Sequence, residues 1–256
     1  MTDELVVGGR TIKSRFIHGT GKFPSNEILV ESLKRSGSDM VTVAVRRLNL
    51  EGGGANELAG IDFSQHTMLP NTAGATTAEQ AIRIARLARA AGLSDFIKVE
   101  VIGDDETLLP DPVETLRATK ILAEEGFIVM TYTSDDVVLA MRLAEAGAAA
   151  VMPLAAPIGT TLGVQNSLNL RLIIKKCTVP VIVDAGLGVP SDVAKVLEWG
   201  AAGVLANTAV AKSQNPPLMA EAISLAVRAG RMAFLAGRAE IGLKALASSP
   251  TDGIPV

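Results

Sequence analysis

A chain of 256 residues, 48% apolar and 20% charged, is long enough to bury a sizeable core, as one α/β barrel or as two small domains. A net charge of -3 and an aromatic content of 3% offer no basic face for phosphates and no stacking surface for bases, which argues against nucleic acid as a partner. No stretch reaches the roughly 20 apolar residues of a membrane span, and the start MTDELVVGG lacks the basic region and apolar run of a secretory signal. One cysteine and two histidines leave no internal disulfide and no zinc-type cluster, so a cytoplasmic protein without membrane or metal is expected.

The first strand candidates are RFIHGTG, DMVTVAVRR and TMLPNTAG. From TTAEQAIRIARLARAAG onward one unit repeats: a capping residue, a helical stretch, a glycine and a short apolar strand. That helical stretch runs through Gly92 into FIKVEV. In DPVETLRATKILAEEGFIVMTYTSDD, Asp111 suits an N-cap and Pro112 the first helical position, where a missing N–H costs nothing. Glu114 sits where a capping box places its acid. Leu116, Ile121 and Leu122 recur at helical spacing, and Gly126 marks the end. Phe127 to Met130 form a continuous apolar run, the pattern of a strand covered on both faces in a parallel sheet. SDDVVLAMRLAEAG, ending at Gly147, precedes AAAVMPL; PVIVDAG is the seventh strand; PSDVAKVLEWG, ending at Gly200, precedes AAGVLAN. Eight strands separated by helices, or by segments long enough to hold one, predict an α/β fold: a single (β/α)8 TIM-type barrel over residues 1–256. A doubly wound open sheet is the alternative. No Gly/Ser-rich or Pro-rich linker divides the chain, and the stretch from about residue 247 reads as a mobile tail.

In such barrels chemistry gathers where the strands end. Here those ends, among them HGTGK, PNTAG, KVEVIGD, PIGTTLG, DAGLG and ANTA, are polar or glycine-rich, whereas the segments entering the strands are small and apolar. Within IKVEVIGD, alternation places Lys98 and Glu100 on one face and Ile97, Val99 and Val101 on the other. The apolar set belongs against the helices, so Lys98 and Glu100 point inward. An ammonium buried in this way is costly and needs a reason: an internal ion pair, or covalent catalysis through a lysine imine. Desolvation helps such an amine lose its proton and Glu100 opposes it, so Glu100 fits a proton carrier better than a device for lowering the lysine pKa. Asp184 ends the seventh strand as a second acid. Ala185, Gly186 and Gly188 follow it, and Asn207 and Thr208 follow the eighth strand. These loops, with Gly159, are able to offer backbone N–H groups to a phosphate, although each alone is a weak signal because a glycine after a strand is more often only a turn. Together with the lysine they point to a phosphorylated carbonyl compound. HGTGKF lacks the third glycine of a dinucleotide fingerprint and the ending of a P-loop. Cys177, leading into the seventh strand, reads as a structural thiol and His66 as a loop residue. His18 reads equally as a site residue or a core histidine, and Arg46 and Arg47 as guides for a partner or as solvent-facing or ion-paired groups.

The motifs GTGKF, AVRR, LPNTAGA, IKVEVIGD, LLPDPVETL, YTSDDVVLA, APIG, VPVIVDAGLG, GVLANTAVA and ASSP, in this order from near residue 8 to about residue 250, closely resemble the thiazole synthase family of bacterial thiamin biosynthesis. The resemblance implies a homo-oligomeric (β/α)8 enzyme without a cofactor. Such an enzyme condenses 1-deoxy-D-xylulose 5-phosphate, dehydroglycine supplied by another enzyme, and sulfur carried as the C-terminal thiocarboxylate of a small ubiquitin-like sulfur-carrier protein. It further implies that Lys98 forms the imine, that Glu100 and Asp184 move protons, and that Gly159, Ala185, Gly186, Asn207 and Thr208 hold the sugar phosphate. A cysteine away from the catalytic face fits an external sulfur source. One departure is visible: Thr160 and Thr161 stand where relatives often carry a Ser-Gly pair. Two other readings are an imine-forming barrel of aldolase or pyridoxal-phosphate synthase type, and an inactive scaffold.

Overall fold

The computed structural model describes residues 3–48, 60–242 and 244–245. Leu5–Val7 (β1) and Arg10–Ile12 (β2) pair antiparallel. The barrel strands follow: Phe16–Gly19 (β3), Met40–Ala44 (β4), Thr67–Asn71 (β5), Phe96–Val99 (β6), Ile128–Thr133 (β7), Ala150–Pro153 (β8), Ile182–Val183 (β9) and Gly203–Ala206 (β10). Neighbours pair parallel in the order β8-β7-β6-β5-β4-β3-β10-β9. Parallel bridges from Val151 to Val181 and from Leu154 to Asp184 then bring β8 beside β9, giving the (β/α)8 barrel that the repeat predicts. Its helices are Asn26–Ser36 (α1), Ala78–Ala90 (α2), Pro112–Glu124 (α3), Val137–Glu145 (α4), Ser167–Lys176 (α5), Pro190–Glu198 (α6), Thr208–Ala211 (α7) and Pro216–Ala236 (α8). The expected tail, and most of the segment between β4 and β5, lie outside the described residues.

Local chemistry sets the helix ends. Asp111 Oδ1 accepts the N–H groups of Val113 and Glu114, each at 2.9 Å, and so caps α3. Glu114 does not complete the capping box that its position predicts; its Oε2 accepts the Ala78 N–H at 2.7 Å. Because α2 and α3 pack side by side, this carboxylate satisfies an orphan donor at the start of the neighbouring helix instead. At Gly147, with φ of 99°, an added Cβ would lie 2.8 Å from that of Ala123, so backbone conformation and packing both require glycine after α4.

Two stacked layers fill the ring. Ile17, Met40, Leu69, Phe96, Met130, Met152, Ile182 and Leu205, one from each strand, form an apolar floor against which the β1–β2 hairpin packs Leu5, Val7 and Ile12. Burying each such side chain contributes roughly 1.5–3 kcal/mol, so this layer carries much of the barrel's cohesion. The hairpin was absent from the predicted elements, although Gly8 and Gly9 between two short apolar runs are a turn signal. Two residues further along each strand, alternation brings Gly19, Thr42, Asn71, Lys98, Tyr132, Leu154, Asp184 and Asn207 to the same face, and the layer turns polar. On the outer face of β6, Ile97, Val99 and Val101 pack with Ala81, Ala118 and Leu122 from α2 and α3, as the sequence pattern predicts.

His18 belongs to the outer layer and is a core histidine, fully buried, with ring centroids of Phe16 and Phe23 at 5.4 and 5.7 Å. Its Nδ1 lies 2.7 Å from the Gly19 carbonyl, to which it donates in the neutral ring, and Nε2 has no partner among the described residues. Burial lowers its pKa to about 4 despite that bond. The unfolded chain, with a histidine pKa near ~6.5, therefore binds a proton that the folded state refuses, and stability falls as pH drops through that window. Between pH 7 and 4.5 the native protein should lose about 2 kcal/mol more stability than a His18→Leu variant, read from urea unfolding at the two pH values.

Candidate active site

Lys98 lies inside the barrel, 4% exposed, with Nζ 3.0 Å from Glu100 Oε1 and 2.5 Å from Asp184 Oδ2. Glu100 is fixed by a residue that the sequence reading passed over. Its N–H donates to Thr72 Oγ1 and the Thr72 hydroxyl donates to its carbonyl, both at 2.8 Å, so the chain just beyond β6 is pinned to that beyond β5. Asp184 is fixed by the turn that follows it. Ala185 and Gly186 both take left-handed conformations, with φ of 50° and 72°, and the Ala185 N–H returns to Asp184 Oδ1 at 2.7 Å. A Cβ on Gly186 would stand 2.5 Å from the Ala156 backbone, so only glycine fits.

Burial alone would lower the Lys98 pKa, but the charges of Asp184 and Glu100, and hydrogen bonds to both, outweigh it and hold the ammonium above its ordinary value. Asp184 is pushed up by burial, with Lys98 pulling it back and Glu100 adding to the rise. The Tyr132 ring centroid lies 5.5 Å from Lys98 Nζ, and burial, then the two acids, hold its phenol neutral. Charges removed from water together gain little net stability, so this cluster is better suited to proton chemistry than to holding the fold.

The cluster opens into a cavity of about 970 Å³. The eight residues to which the resemblance gives a role border it: Lys98, Glu100 and Asp184, together with Gly159, Ala185, Gly186, Asn207 and Thr208, whereas Gly188 does not. An internal ion pair and room for a substrate are thus present side by side. Asn207 Oδ1 accepts the Gly21 N–H at 3.0 Å, and a Cβ on Gly19 would fall 2.3 Å from that of Asn207. Thr42 and Asn71 also line the cavity and were missed; alternation applied to every strand, rather than to β6 alone, would have found them. Arg46 is exposed along the cavity, while the side chain of Arg47 lies outside the described residues. Cys177 caps the end of α5, partly buried and off the cavity, with its thiol pKa raised by burial. His66 Nδ1 lies 3.0 Å from the Ser38 carbonyl, outside the site. Among the described residues no group of three or more His, Cys, Asp or Glu is placed to hold a metal ion, and no helix is long and apolar enough to cross a membrane.

In the loop after β8, Thr161 has φ of 53°. The backbone keeps a left-handed turn where the resemblance anticipates glycine, which strains a β-branched residue. Its hydroxyl donates to the Thr160 carbonyl at 2.7 Å, and the Thr160 hydroxyl to that of Pro157 at 2.8 Å.

A (β/α)8 barrel with a buried lysine between two acids, at the end where the strands give way to loops, defines a barrel enzyme with its site in the usual place for that fold. The family model of thiazole biosynthesis protein ThiG matches residues 6–250, and the chain belongs to this family. It is 56% identical over 253 residues to the thiazole synthase of Bacillus subtilis, covering 98% of this chain and 99% of that protein. To the thiazole synthase of Anoxybacillus flavithermus it is 54% identical over 253 residues, with the same coverage of 98% and 99%. Among solved structures, the Amycolatopsis orientalis BexX/CysO complex matches with a TM-score of 0.84 at 28% identity, over 94% of this chain and 98% of that one. Thiamine phosphate pyrophosphorylase from Pyrococcus furiosus matches with a TM-score of 0.56 at 15% identity, over 84% and 95%, which is a likeness of fold alone. The chain is an enzyme of thiamin biosynthesis with thiazole synthase activity.

Two substitutions test this geometry. Lys98→Met leaves two buried carboxylates without their cation, a loss of roughly 3–5 kcal/mol at pH 7. Asp184, already raised, then rises further above its unfolded value, so the deficit should shrink on going to pH 5 as the acid takes up a proton; denaturant unfolding at both pH values measures this. Thr161→Gly should raise stability by about 1 kcal/mol, seen as a higher Tm, by relieving the left-handed strain.

Proposed function

We propose that the Lys98 amine condenses with the ketone of 1-deoxy-D-xylulose 5-phosphate, forming an imine and releasing water. The observation that carries this reading is Nζ held 2.5 and 3.0 Å from Asp184 and Glu100 at the wall of a cavity of about 970 Å³. Attack requires the ammonium to give up a proton, and the raised Asp184 carboxylate is the acceptor in contact with it. Glu100 approaches Nζ as a second carboxylate and, with Asp184, moves protons while the carbonyl migrates along the sugar. The loops after β8, β9 and β10 hold the phosphate at Gly159, Ala185, Gly186, Asn207 and Thr208; the Ala185 N–H is already taken by Asp184, so Ala185 serves through its turn conformation and the neighbouring backbone N–H groups are the donors.

Sulfur then comes from the thiocarboxylate of a small ubiquitin-like sulfur-carrier protein, and dehydroglycine from a separate enzyme; no resident cofactor is required. Two facts favour a carrier. BexX, the 28% identical relative, is solved in complex with a second protein, CysO, and Cys177 stands outside the cavity. The enzyme works in the cytoplasm as a homo-oligomer. Leu218, Leu225 and Met232, exposed at seven-residue spacing on α8, support self-pairing of that helix, and Glu221 and Arg228 alongside would meet opposite charges in an antiparallel second copy.

Borohydride reduction in the presence of the sugar phosphate should add the mass of the reduced ketose phosphate to Lys98. Active protein with that lysine unlabelled would overturn the reading, and thiazole-independent turnover without any carrier would favour an aldolase-type barrel instead.

A further inference from the structure

The phosphate loops account for one side of the cavity. Around the ring, the strands opposite β8 and β9 are β4 and β5, and the wall there carries Thr42, Arg46 and Asn71. A volume of about 970 Å³ is at the upper end of what holds a drug-sized ligand, more than one pentose phosphate fills. Asn71, 8% exposed and the ladder partner of Lys98, is held rigidly: Nδ2 donates to Thr42 Oγ1 at 3.0 Å and Oδ1 accepts the Ala73 N–H at 3.2 Å. An amide nitrogen carries two protons and an accepting hydroxyl keeps its own, so this pair retains donors for a ligand.

Arg46 has no ion-pair partner among the described residues. Its position is nonetheless fitted. Gly74 has φ of 94°, and a Cβ there would stand 2.6 Å from Arg46 Nη1, so the guanidinium lies in the notch left by the missing side chain. Behind it, one ammonium faces two carboxylates, a net negative charge that repels an anion unless a separate cation holds it. A guanidinium fork matches the two oxygens of a planar carboxylate.

Taken with the imine reading on which it rests, the geometry points to the β4–β5 wall as a subsite for the carboxylate of a small α-imino acid, with Arg46 as its anchor and Thr42 and Asn71 as donors beside Lys98. A carrier protein's terminal thiocarboxylate presents similar chemistry, and the test separates the two sources. Oxamate, a stable planar analogue of the imino acid, and the carrier protein are each titrated by calorimetry into the native enzyme and its variants. Arg46→Gln should weaken oxamate about 10- to 100-fold while carrier binding and borohydride trapping of the sugar phosphate stay within about twofold. Gly74→Ala, which displaces the guanidinium, should weaken oxamate in the same direction, and Arg46→Lys, which keeps charge without the fork, should weaken it less. Unchanged oxamate affinity in Arg46→Gln, no oxamate binding to the native enzyme, or weakening of the carrier alone would each overturn the subsite. Failure of the native enzyme to trap the sugar at Lys98 sinks the imine reading instead, and the oxamate titrations decide the subsite independently of it.

Discussion

Three charged groups meet at one buried point inside the barrel: the Lys98 ammonium and the carboxylates of Asp184 and Glu100. An arrangement this costly to desolvate stands only if the surrounding structure fixes it. Below it, the apolar floor and the β1–β2 hairpin close off one end. Beside it, the reciprocal bonds of Thr72 hold Glu100, and the Ala185–Gly186 turn holds Asp184. The bridge from Leu154 to Asp184 belongs to the seam where β8 meets β9, so the backbone that completes the ring also delivers the second acid to Lys98. Closure of the ring and placement of the second acid thus rest on the same backbone contact.

Proton affinity in the cluster is divided in a way that fits the imine chemistry proposed for Lys98. The acids raise the lysine above its ordinary range, which keeps it charged at rest, while burial raises Asp184 and makes it a competent acceptor in direct contact. Under the proposed imine chemistry, the amine would be freed by transfer within the cluster rather than by an apolar pocket alone. The strong match to thiazole synthases over almost the whole chain places the chain within thiamin biosynthesis.

Much of this was legible in the sequence because it rests on local rules. Period-two alternation in IKVEVIGD placed Lys98 inward, Asp111 and Pro112 marked the start of α3, and the glycine-rich strand ends marked the cavity rim. What escaped depends on partners distant along the chain. Glu114 caps α2 rather than its own helix because α2 lies alongside, which no spacing rule within α3 reveals. His18 looks the same in sequence whether it faces the site or the helices, and the Phe16 and Phe23 rings decide the matter. The contact of Asp184 with Lys98 spans the barrel interior, and Asn71 and Thr42 gain meaning only once β4, β5 and β6 are neighbours. The left-handed Thr161 shows a third kind of failure, in which a turn's conformation persists under a residue that disfavours it.

The most direct test of the central arrangement is a pH titration of Lys98 by NMR, using lysine labelled with ¹³C at Cε and assigning the signal by its loss in Lys98→Met. The account predicts a midpoint in the free enzyme above the ordinary lysine value near ~10.4, and a lower midpoint in Asp184→Asn. A native midpoint at or below that ordinary value would mean that the two acids do not govern the amine, and would contradict the account.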